Sequence, residues 1–122
     1  MDARKPELRL RTKKFAGRIV RLYISLPLRR LEVMILGKQM LRSGTSVAAN
    51  YREASRARSR VEFISKVEQC AQEADETQLW LELLRDDCGL DLPEISALWK
   101  EADELIAIFV TMSKRTKENT EA

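Results

Sequence analysis

An antiparallel up-and-down four-helix bundle is the all-α fold that this 122-residue sequence predicts, and three observations lead to it. Ala, Leu, Glu, Lys and Arg dominate, with only four glycines and three prolines to interrupt them, a composition that favours long helices. Apolar residues recur at alternating steps of three and four in separate stretches, which marks one buried face per helix. The stretches are joined by short connections, as antiparallel neighbours require. At 44% hydrophobic residues the chain can fill one core but not comfortably two, so residues 1–122 are read as a single domain.

The first helix is expected over residues 10–26, where Phe15, Ile19, Leu22 and Leu26 form the apolar line. Arg11, Lys14, Arg18 and Arg21 repeat with similar spacing and give that helix a basic exterior. Pro27 breaks the ladder, and Pro is tolerated in a first turn, so the second helix is expected over residues 28–55. The third, over 59–87, carries the clearest pattern: Phe63, Val67, Cys70, Ala74, Thr77, Leu81 and Leu84. Ser59 and Glu62 stand in the spacing of a capping box at its start, and Gly89 can supply the left-handed conformation beyond its end. Pro93 and Glu94 suit the first turn of the fourth helix, expected over 93–115 with Ile95, Leu98, Ala102, Leu105, Phe109 and Met112 inside. The final KRTKENTEA has no apolar anchor and is expected to fray.

Charge is unevenly divided. Residues 1–60 hold 16 Lys and Arg against four Asp and Glu, and residues 61–122 hold six against 15. Two readings stand: a basic face for nucleic acid, or basic and acidic helices neutralising one another within the bundle or between subunits. No apolar run reaches the roughly 18 to 20 residues of a bilayer span, and MDARKPELRLRTKK lacks the apolar centre of a signal peptide, so the expected location is the cytoplasm. Cys70 and Cys88 form no CxxC pair and are expected as free thiols. On one helix they would lie about 27 Å apart, far beyond disulfide reach.

The second helix raises a question of its own. Arg42, Ser46, Asn50 and Glu53 fall within about 80° of one another on a helix, in line with Leu28, Leu31 and Ile35. That line is expected to bury, so the polar groups should run into the core or a subunit interface. An unsatisfied buried polar group costs about 1–3 kcal/mol, and Gln69, Glu73, Glu76 and Trp80 of the third helix are spaced to supply partners. The expected result is a structural polar network of Arg42, Ser46, Asn50, Glu53, Glu73 and Glu76 that fixes helix register. Gly44, Thr45, Ala48 and Ala49 would permit close helix approach around it. A metal site built from Glu53, Glu73 and Glu76 is the alternative, but there is no histidine to complete it and Arg42 competes for the same carboxylates. No metal or other cofactor is therefore expected.

These residues resemble a known family. Arg42-Ser43, Ser46-Val47, Ala49-Asn50 and Glu53 match the signature R-S-x-x-S-[IV]-x-x-N-x-x-E of the bacterial four-helix bundle proteins, also called the 23S rRNA-intervening-sequence protein family. Leu26-Pro27, Gln39, Glu62-Phe63-Ile64 and the block from Glu73 to Glu82 extend the likeness over about residues 10–115. The sequence departs from the pattern at Ala54, where Gly is common, and at Tyr51-Arg52, where Ile-Ala is frequent. The resemblance implies a cytoplasmic, non-enzymatic homo-oligomer, typically a pentamer. Some members are encoded within insertions in ribosomal RNA genes. The accessory proteins of diversity-generating retroelements are similar in fold and carry a basic surface that engages nucleic acid and a reverse transcriptase.

Two functional expectations follow. The first is an accessory protein that binds RNA or DNA backbone through Arg52, Arg56, Arg58 and Arg60 at the corner between the second and third helices, with Arg11, Lys13, Lys14, Arg18 and Arg21 as a second strip. Only seven aromatics occur and none alternates with the basic residues, so base stacking and sequence readout are not expected. The second is a protein–protein scaffold without nucleic-acid activity, in which the acidic third and fourth helices of one subunit meet the basic first helix of another. Catalysis is not expected: there is no histidine, no glycine-rich phosphate loop and no nucleophile beside a base, and Ser43, Ser46 and Cys70 are read as packing residues.

Overall fold

The computed structural model describes residues 5–121, and among them every regular element is a helix: α1 (Lys5–Ser25), α2 (Leu31–Ser55), α3 (Arg60–Asp86) and α4 (Pro93–Glu121). The helices pack in sequence order, α1 on α2, α2 on α3 and α3 on α4, while α1 and α4 close the bundle with a looser approach. The starts of α1 and α3 and the ends of α2 and α4 therefore share one end of the molecule.

Each helix follows from its sequence, with three corrections to where the helices begin and end. The line from Phe15 to Leu26 is buried as expected, but α1 starts earlier because Leu8 and Thr12 continue the same line into the core. Thr12 is accommodated by donating its hydroxyl to the carbonyl of Leu8 at 2.8 Å. Pro27 lies in the connecting turn, not in the first turn of α2: Arg30 N–H donates to the Pro27 carbonyl at 3.1 Å, and regular helix begins at Leu31. At the other end, α4 continues through the segment expected to fray, with Thr116 donating to the carbonyl of Met112. Ala122 lies outside the described residues.

The buried lines of α3 and α4 are those the sequence predicts, from Val67 to Leu84 and from Ile95 to Met112. Ser59 accepts from Glu62 N–H at 3.0 Å, whereas the Glu62 carboxylate accepts from Arg58 N–H at 3.3 Å, one residue before the cap. Gly89 adopts φ 71°, and Leu90 N–H reaches back to the Leu84 carbonyl at 3.1 Å, ending α3 with a left-handed turn.

On α2 the buried line differs from the expected one. Val33, Gly37, Met40, Gly44, Val47, Tyr51 and Ala54 face the core, while Leu31 and Ile35 are 63% and 49% exposed. Tyr51 and Ala54, where the sequence departs from the family pattern, are thus fully buried core positions, and the Tyr51 ring packs on Phe109 with centroids 6.0 Å apart. Gly44 does allow close approach, but to α1: a Cβ there would stand 2.8 Å from Ile19 Cγ1. Both cysteines are free and buried, and burial pushes the Cys70 thiol up to about 12.

Candidate nucleic-acid interface

The polar stripe of α2 lies on one face, as its spacing predicts, but only part of it is buried: Asn50 is inside, Ser46 is half-buried, and Arg42 and Glu53 point out of the bundle. Arg42 is 57% exposed and pairs across the α2–α3 groove with Glu76 at 3.4 Å and, at 3.7 Å, with Glu73. Ser46 faces the Glu73 carboxylate closely enough to lower its pKa. Arg42, Ser46, Glu73 and Glu76 therefore come together as expected. Asn50 and Glu53 do not join them. Asn50 donates to the carbonyl of Ser46 in its own helix at 2.9 Å, and Glu53 meets Lys66 at 3.5 Å.

Glu73 carries the electrostatic strain of this cluster. Its side chain is only 12% exposed, and burial, with Glu76 nearby, raises its pKa against the opposing effects of Arg42 and Ser46. Its Oε2, and the indole Nε1 of Trp80 two turns further along, are buried with no hydrogen-bond partner among the described residues. Ser43 and Cys70 pack as expected: the Ser43 and Thr77 hydroxyls lie 2.8 Å apart, and the Cys70 thiol faces the Val47 carbonyl. Among the described residues no group of three or more carboxylates or thiols is arranged to hold a metal ion. Glu53 is turned to Lys66, away from the Glu73–Glu76 pair.

The two basic strips meet different fates. Arg11 donates twice to Glu101, both at 2.8 Å, and once to Glu104, while Arg18 donates twice to Glu94 at 2.9 and 3.3 Å. These bonds raise both arginine pKa values and hold those of Glu94 and Glu101 below the ordinary range. The neutralisation of a basic helix by an acidic one, expected as an alternative, thus takes place between α1 and α4 for these two residues. Lys13, Lys14 and Arg21 remain exposed on the outer face of α1.

At the α2–α3 corner the arginines are less committed. Arg52, Arg56, Arg58 and Arg60 are all exposed, and none makes an ion pair among the described residues. Arg60 reaches the Asn119 carbonyl of α4 at 3.2 Å. That contact brings in residues that sequence reasoning assigned to a fraying tail: Lys114 and Arg115 are exposed at the same end, and Lys117 pairs with Glu68 at 2.8 Å. The step of four from Met112 to Thr116 is the signal that could have extended α4 and placed them.

The family model described as 23S rRNA-intervening sequence protein matches residues 5–111. The chain belongs to that family. The signature residues Arg42 and Ser46 accordingly sit on an outer face where α2 meets α3, not in the core. The crystal structure of a protein of unknown function from the S23 ribosomal protein family of Bacteroides thetaiotaomicron is 36% identical and superposes with a TM-score of 0.79, covering 87% of this chain and 97% of that one. No curated protein shows significant similarity to the chain.

Proposed function

We propose that this family member is a non-enzymatic, homo-oligomeric accessory protein of the cytoplasm that binds RNA or DNA backbone through the arginines of the α2–α3 corner. The observation that carries this reading is the contrast between the strips. Glu101 and Glu94 occupy Arg11 and Arg18, whereas Arg52, Arg56 and Arg58 keep their side chains exposed and without an ion pair among the described residues. Guanidinium groups so placed match phosphate oxygens in geometry and charge, and repetition in an oligomer would multiply weak contacts into useful avidity.

Binding to a structured RNA should weaken steeply as salt rises from about 50 to about 200 mM. Arg56→Ala/Arg58→Ala should reduce both the affinity and the salt slope, by about 0.9 in slope for each phosphate no longer neutralised. Lys13→Ala/Lys14→Ala should have the smaller effect. Salt-independent binding, or none, defeats the reading.

A scaffold without nucleic-acid activity is the second reading, favoured by the outer face of α2 and α3. Leu31 and Ile35 of α2 and Leu79 of α3 are exposed. A second protein surface would cover these exposed apolar side chains. A further copy of this chain, in a pentamer of the kind the family resemblance implies, would provide that surface.

A further inference from the structure

We propose that the last turns of α4 are the second limb of the corner site, and that the site takes the phosphodiester backbone of a nucleic-acid duplex rather than a single strand. This rests on the nucleic-acid reading above and adds to it both residues and a ligand class.

Three observations carry the inference. Arg60 Nη1 holds the Asn119 carbonyl at 3.2 Å, so the end of α4 is fixed against the start of α3. Arg58, Ser59 and Arg60 share the lining of an open cleft of about 320 Å3 with Thr116 of α4, which places the corner and α4 on one surface. Residues 52–62 and 114–118 together hold seven Lys and Arg against three Asp and Glu, so this end is basic even though the chain as a whole is close to balance. Lys114 and Arg115 are exposed there without an ion pair among the described residues.

The ligand class follows from what accompanies the charge. Single strands are held by aromatic rings on which unstacked bases lie. Phe63 is the one aromatic lining this cleft, and it packs against the core. A surface of Arg and Lys whose single ring is packed against the core offers charge for phosphates and little platform for unstacked bases, which suits a ligand whose bases are already paired and whose charge density is high. RNA and DNA duplexes share that chemistry.

The test is fluorescence anisotropy on the full-length protein at about 100 mM salt, with an RNA duplex of about 20 base pairs, the matching DNA duplex, each single strand, and polyglutamate. Lys114→Ala/Arg115→Ala should weaken binding of the preferred duplex roughly tenfold and lower its salt slope by about 1.8. Arg29→Ala/Lys38→Ala, which removes equal charge at the opposite end, should leave binding unchanged, with circular dichroism confirming that both variants are folded. Duplex binding unaffected by Lys114→Ala/Arg115→Ala, or affected equally by the distant pair, overturns the α4 limb while leaving the corner reading intact. A single strand that binds as tightly as its duplex overturns the ligand class, and polyglutamate that does so shifts the partner to an acidic protein. Failure of every nucleic acid to bind overturns the functional reading itself.

Discussion

Glu101 and Glu73 are carboxylates of one small protein with opposite electrostatic histories. The two short bonds from Arg11 hold Glu101 ionised below its ordinary value of 4.5. A depressed carboxylate contributes stability that is complete above its unfolded pKa and is lost as pH falls through the folded one. A double-mutant cycle of Arg11→Ala and Glu101→Ala should therefore give a coupling of about 1 kcal/mol near neutral pH, which disappears in acid. Glu73 is raised, chiefly by burial, so its ionised form opposes folding at neutral pH. Glu73→Gln keeps an acceptor for Ser46 and should raise Tm at neutral pH, with the gain shrinking as pH falls through the raised pKa of the native carboxyl. A fall in Tm at neutral pH would show that the Arg42 contact outweighs the burial. Neither ion pair could be assigned from sequence. Arg11 and Arg18 look as available as Lys14 and Arg21 until the chain brings Glu101 and Glu94 beside them.

At the scale of elements, α3 and α4 could be read almost to the residue because each has a single apolar line. Helix α2 has two. Leu31 and Ile35 continue the polar stripe on one side, while Val33, Met40, Val47, Tyr51 and Ala54 define the other. The buried line is masked in the sequence by Gly37 and Gly44, which lack apolar side chains yet face the core. Gly44 is glycine because Ile19 of α1 lies against it. Gly44→Ala should cost about 1–3 kcal/mol through overpacking, measured by urea unfolding. Gly17→Ala on α1 should cost nothing or stabilise, since its Cβ would meet only the flexible end of Arg21. Equal effects at both positions would contradict the close α1–α2 approach. The family signature was legible as a set of residues, but not in its direction, because a helical wheel reports which residues share a face and not where that face points.

The whole molecule presents a basic end and a partly apolar outer face on α2 and α3, and these are assigned different tasks. Leu31→Asp/Ile35→Asp should leave the monomer helical with little loss of Tm, since both side chains are exposed, yet reduce the mass of the assembly in solution. A protein of unchanged mass would place the subunit contact elsewhere. No described helix is long and apolar enough to cross a membrane. The most direct test of the central claim is light scattering after size-exclusion chromatography, run with and without a short structured RNA at low and high salt. The expected result is an assembly of several chains that gains the mass of RNA at low salt and releases it at high salt. A monomer, or an assembly whose mass is the same with and without RNA at low salt, would contradict it.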